Sequence, residues 1–208
     1  MRRLIALTIL WALVAGPGAA EPLDRLLSTP GMMQLPDDAA LIYRHRRATG
    51  HADGREAFER AVRLERHAGR ASVIATLEGK DARRLAEFRG TAGNPIVLVF
   101  LDSVVSRISE ASGASPFYLR RRIKEATAER AYERSVTATH AGSELPSREV
   151  VLRPLEGTEH VEELGVFATV ELTFLLSDAV PGGFVSLRAT AGEGAGSYFE
   201  EMQLDGTI

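Results

Sequence analysis

The stretch Asn94-Pro95-Ile96-Val97-Leu98-Val99-Phe100-Leu101-Asp102-Ser103-Val104-Val105-Ser106-Arg107-Ile108 decides the architecture of this 208-residue chain. An asparagine side chain can accept a hydrogen bond from the first free amides of a helix. A proline directly after it sits where no helical donor is lost. A helix therefore starts at Asn94, and Gly113 ends it, because glycine readily takes the left-handed conformation that closes helices. No polar residue interrupts Ile96 to Leu101. A helix that is apolar nearly all round at its start has to be enclosed by other structure. Asp102, Ser103, Ser106 and Arg107 form a polar strip later in the helix. Ser115-Pro116 repeats the cap-then-proline signal, so a second helix is expected from Pro116 to about Ala126. Leu119 and Ile123 lie one turn apart on it, as do Tyr118 and Arg122.

Strands are expected on both sides of this helical pair. Before it, Leu41 to Arg47 places Leu41, Tyr43 and His45 on one face, and Ala71 to Glu78 is a second strand. Arg55 to Arg66 reads two ways. Its Ala, Glu and Arg content suits a helix, whereas Phe58, Val62 and Leu64 share the even face of a strand. The turn at His67 to Arg70 leads straight into the next strand and favours a hairpin. After the helices, strands are expected over Glu129 to Thr139, Arg148 to Arg153, Phe167 to Leu176, Phe184 to Thr190 and Tyr198 to Leu204. Phe167 to Leu176 alternates cleanly, and Pro154 stops the strand before it. The expected fold is α+β: a curved antiparallel sheet or half-open barrel wrapped around a central helical hairpin, in one domain over residues 41–208.

The N-terminus carries a different message. Arg2 and Arg3 precede an apolar run from Leu4 to Val14, and small residues close the segment at Ala19-Ala20. This is the layout of a secretory signal over residues 1–20, cleaved near Ala20. The run is too short to span a bilayer, which takes about 20 apolar residues. Residues 21–40, with Pro22, Pro30 and Pro36, read as an extended leader. The chain has no cysteine, so neither a lipidated cysteine nor a disulfide framework is available to it. An exported domain without cysteine fits the bacterial periplasm.

Charge is unevenly placed. The whole chain carries 25 basic and 28 acidic residues for a net charge of −3, yet Leu41 to Arg89 has an excess of five positive charges. Ala141 to Ile208 has an excess of nine negative ones. Such asymmetry can mark a docking surface. The preferred reading is that the two halves pair with each other across one sheet.

Gly93-Asn94-Pro95, Phe100-Leu101-Asp102 and the run from Ser112 to Ile123 (SGASPFYLRRRI) support a resemblance. They are similar to uncharacterised exported proteins of alphaproteobacteria, in which a GNP helix precedes a GGSxYFRxRIR helix. The Val180-Pro181-Gly182 turn resembles theirs too. Here Ala114 replaces the second glycine of that motif and Leu119 its phenylalanine. The resemblance implies a shared fold and brings no activity. In architecture the chain also resembles periplasmic lipoprotein carriers of the LolA and LolB type, which is a likeness of shape.

No catalytic motif is present, since there is no Gly-x-Ser-x-Gly and the five histidines follow no zinc-ligand spacing. His160 among Glu159, Glu162 and Glu163 reads as a solvated acidic loop. Gly192 to Gly196 reads as a hairpin loop, because a phosphate loop needs a helix after it. No enzyme activity, cofactor or metal is expected. A hydrophobic ligand is expected between sheet and helix, contacting Ile96, Val97, Phe100, Leu101, Val104 and Tyr118. Arg120, Arg121, Arg122 and Lys124 are the candidate surface contacts, able to meet an anionic head group. The preferred reading is that their stems cover the sheet and their charges pair with the acidic half. The alternative role is an envelope protein that docks a protein partner through its charged patches. Export and net charge exclude a nucleic-acid partner, and no membrane span is expected.

Overall fold

The computed structural model describes residues 26, 35–36, 39–51, 54–67, 72–89, 93–159, 161–194 and 196–208. The expected signal peptide, nearly all of the expected leader and His160 lie outside the described residues. Within them, nine strands form one antiparallel sheet. They are β1 (Ala40–His51), β2 (Gly54–His67), β3 (Ser72–Leu77), β4 (Arg83–Arg89), β5 (Tyr132–His140), β6 (Ser143–Leu152), β7 (Glu171–Leu176), β8 (Phe184–Ala191) and β9 (Tyr198–Thr207). Helices α1 (Pro95–Ser112) and α2 (Pro116–Glu129) separate β4 from β5. A short α3 (Val161–Leu164) runs into a 3-10 turn over Gly165–Thr169.

The strand order is β4-β3-β2-β1-β9-β8-β7-β6-β5. The sheet is therefore two meanders, β1–β4 and β5–β9, joined where β1 pairs with β9. Its free edges are β4 and β5, and the helical hairpin connects one to the other across the concave face. The expected α+β architecture is the observed one. The sheet stays open because β4 and β5 do not pair.

Local chemistry places the elements. Asn94 caps α1 by accepting from the Ile96 amide at 3.2 Å, and its side-chain amide donates to the Gly182 carbonyl at 3.0 Å. The cap is thus also a clasp on the turn before β8. Pro95 is the first helical residue, and Gly113 ends the helix with φ +75°. Gly182 sits at φ +80°, and a Cβ there would lie 2.5 Å from Leu41 Cδ1, so only glycine fits.

Several strands differ from the sequence expectation. Residues 55–66 are strand throughout, because β2 pairs on both sides, with β1 and with β3. The ladder with β1 over Gly54–Glu65, joined by the one with β3 over Val62–His67, outweighs the helix preference of Ala, Glu and Arg. α2 continues through Glu129, so β5 starts at Tyr132 and not at Glu129. β6 begins at Ser143, earlier than expected. The turn at Ala141-Gly142 has φ +48° and +80°, the hairpin geometry with both central residues left-handed. Pro146 stands opposite Thr137 of β5 and is tolerated because β7 pairs with β6 only from Arg148 onward, so on that side there is no ladder for the proline to interrupt. Phe167 belongs to the 3-10 turn and β7 starts at Glu171. β4 was not expected at all. Its register slips between Ala75 and Thr76, making Leu85 an extra residue that breaks the alternation.

The charged halves meet at the seam. On the convex face Arg44 bonds Asp205, and Arg46 and Arg188 both hold Glu201. On the concave face His45 and Arg47 hold Glu200. The preferred reading of the charge asymmetry, mutual pairing across one sheet, is what these contacts display.

Candidate functional site

α1 is packed on one side and open on the other. Its Ile96, Val97, Phe100 and Val104 are buried, and Phe100 and Val104 face the C-terminal meander. The Phe100 ring meets Phe174 edge-on at 5.9 Å between centroids. Val104, Ile108 and Leu119 close against Leu155, Val170 and Leu172 without room for a water molecule. Toward the N-terminal meander the same helix leaves two cavities.

The first is an apolar cleft of about 470 Å³ between the β4 edge and both helices. Leu85, Ala86 and Phe88 form its β4 wall; Leu98, Val99, Leu101 and Val105 of α1 form the floor. Ile123 closes it from α2, while Asp102, Arg120 and Lys124 stand around it as the only charged lining residues. Arg120 reaches Asp102 at 2.8 Å and ties the two helices together there. The bulge explains why both Leu85 and Ala86 line the cleft, since an extra residue re-aims the side chains beside it.

The second cavity, also about 470 Å³, is polar and adjoins the first. Leu85, Val99 and Asp102 line both. Its wall carries Arg47 from β1, Arg60 from β2, Arg83 from β4 and Arg107 from α1. Against these four guanidiniums stand the carboxylates Asp102 and Glu110, so guanidiniums outnumber carboxylates in the lining by two. The Phe58 ring lies beneath Arg60 and Arg47, at 4.6 and 5.1 Å from its centroid, and meets the His45 ring edge-on.

A buried charge network underlies this chamber. Glu200 is fully buried. It accepts from His45 Nε2 at 2.8 Å, from Arg47 Nε at 2.8 Å and from the Tyr198 hydroxyl. Burial works against its ionisation, but the His45 hydrogen bond, the Arg47 charge and the Arg47 hydrogen bond prevail and hold its carboxyl down to about 2. Burial and the neighbouring Glu200 push the Tyr198 hydroxyl well above its usual value. Arg47 Nη2 donates to Ser103 Oγ at 2.7 Å, which ties the sheet to α1. The network therefore fixes the rear of the chamber.

Of the residues singled out in the sequence, Leu101, Arg120 and Lys124 line the apolar cleft. Ile96, Val97, Phe100 and Val104 are buried in the core and line neither cavity, and the Tyr118 hydroxyl bonds Thr158. Arg121 and Arg122 pair with Glu125 on their own helix, and Arg122 also donates to the Glu156 carbonyl. The sequence reading missed the β4 wall and the arginine chamber. A signal for the chamber existed: the polar strip Asp102, Ser103, Ser106 and Arg107 is the stretch of α1 that faces it. Among the described residues no group of three or more His, Cys, Asp or Glu is placed to hold a metal ion, and no helix is long and apolar enough to cross a membrane.

Fold and cavities together define an open antiparallel sheet with a two-chambered space under its first meander. A solved structure similar to the chain is described as "putative outer membrane lipoprotein-sorting protein domain from Vibrio parahaemolyticus". The two share 7% identity over 82% of this chain and 85% of that one, with a TM-score of 0.23. No protein-family model and no curated protein matches the chain.

Proposed function

We propose that this protein is a binding module that holds an apolar or amphipathic small molecule between the β4 edge of its sheet and its helical hairpin. The observation that supports this is the apolar cleft, whose volume of about 470 Å³ falls in the usual range of small-molecule sites, roughly 300–1,000 Å³. Its walls are apolar on all three elements, and the charged groups are confined to Asp102, Arg120 and Lys124. Filling it removes apolar surface from water at about 25 cal/mol per Å². The sequence of residues 1–20 supports placing this role in the periplasm.

The test uses the full chain and the neutral dye N-phenyl-1-naphthylamine, whose fluorescence rises in apolar surroundings. Saturable binding is expected. Ala86→Trp, which fills the cleft from a partly exposed edge strand, is expected to weaken it at least about tenfold. Circular dichroism of the variant checks that the fold is kept. No saturable dye binding, or unchanged binding by a folded Ala86→Trp protein, overturns the proposal.

A further inference from the structure

Among the described residues whose side chains are placed, every arginine but two makes a salt bridge or a hydrogen bond. The two exceptions are Arg83 and Arg107, and both line the polar chamber. Arg107 Nε is moreover buried with no hydrogen-bond partner. A buried N–H donor without an acceptor has lost its hydration and gained nothing in return. Arg107 thus has a buried donor left over, and Arg83, exposed at the chamber's β4 rim, has no acidic partner either, so these two groups on α1 and β4 point to an acceptor that the chain itself does not supply.

We infer that the arginine-lined chamber receives the anionic head group of the amphiphile whose tail occupies the apolar cleft. This rests on the cleft being a ligand site, and it adds the ligand's class: a single-chain amphiphile with a phosphate or carboxylate head. The chambers share Leu85, Val99 and Asp102, so they adjoin, and a head group in one lies within reach of a tail in the other. Guanidinium groups fit the head-group chemistry, because their paired N–H donors match the oxygens of a carboxylate or phosphate. Arg47 and Arg60 add positive potential, but Glu200 and Asp81 already hold them. Arg83 and Arg107 are the pair left for the ligand. Asp102 stands on the shared wall and accepts at 2.8 Å from Arg120, which lines the cleft and not the chamber.

The experiment displaces N-phenyl-1-naphthylamine from the full chain with amphiphiles that share one dodecyl tail, below their micelle concentrations. Dodecyl phosphate is expected to compete at least about tenfold better than dodecyl maltoside or dodecyltrimethylammonium, the effect of one charge-assisted hydrogen bond or more. Arg83→Gln combined with Arg107→Gln is expected to abolish that preference while leaving dye affinity unchanged. If the double variant fails to fold, each single variant is measured, and each is expected to reduce the preference. Inorganic phosphate alone, followed by thermal shift, separates a free anion from a head group. Stabilisation by phosphate that equals that by dodecyl phosphate overturns the inference in favour of a small-anion site. Dye binding with no head-group preference overturns the inference and leaves the cleft as a ligand site. Absence of dye binding overturns the cleft reading itself.

Discussion

Glu200→Gln removes the negative charge at the centre of the seam while keeping the side chain's shape. In the folded protein the Glu200 carboxyl is held at about 2, against 4.5 for a free glutamate. At about 1.4 kcal/mol per tenfold, that gap corresponds to roughly 3 kcal/mol of stability at neutral pH. The same change leaves Arg47, largely covered by β9 and α1, without its counter-ion, and breaking such a buried pair costs about 3–5 kcal/mol. The two routes agree on about 3 kcal/mol. The sign follows from the direction of the shift. A depressed carboxyl contributes fully above pH 4.5 and loses its contribution as pH falls toward about 2. Urea unfolding followed by far-ultraviolet circular dichroism, at several pH values from 7 to 3, measures the difference between wild type and variant. The difference should be about 3 kcal/mol at pH 7 and shrink steadily below pH 4.5. A difference under about 1 kcal/mol at pH 7, or one equally large at pH 3, would refute the account of this network.

Two further substitutions probe the clasp between α1 and the turn before β8. Asn94→Ala loses the helix cap and strands the Gly182 carbonyl, with an expected loss of about 1–3 kcal/mol in the same urea titration. Gly182→Ala forces a left-handed residue and drives its Cβ into Leu41, so a loss of at least about 2 kcal/mol is expected. Because both variants act on one contact, their double mutant should lose less than the sum of the two, and full additivity would show that the clasp is not shared.

The parts of the fold that were legible in the sequence are those set by local chemistry. Asn94, Pro95 and Gly113 fix both ends of α1 through orphan amides and a left-handed stop, which neighbours do not alter. β8 and β9 are bounded by glycine turns, and their expected bounds fall within three residues of those observed. The misreadings occur where tertiary pairing or backbone irregularity decides. β2 has a helix-leaning composition that two ladders overrule. β4 escapes detection because its bulge sets Leu85 and Ala86 side by side and destroys the period of two. The site was legible only in part, for a geometric reason. The unbroken apolar run of α1 says that this helix is enclosed, but not which side is filled. The choice depends on Phe174, Leu172 and Leu155 closing one side, while a short β4 wall stands off from the other. Arg83 and Arg107, 24 positions apart, look like ordinary surface residues until the sheet curls over the helix.

The pairing of β1 with β9 also bears on how the chain finds its register. His45 and Glu200 are 155 positions apart, and Arg44 and Asp205 are 161 apart, so this seam closes late relative to the local hairpins. Until it closes, each meander presents an open strand edge of the kind that invites pairing with another copy. The charges act as addresses on those edges. β1 against a second β1 would set Arg44, Arg46 and Arg47 opposite one another. β9 against a second β9 would do the same with Glu200, Glu201 and Asp205. Like charges across a ladder are repelled, whereas opposite ones are attracted. The ion pairs that stabilise the finished sheet thus also sort its two halves during folding, so that each open edge accepts its own partner and turns away its duplicate.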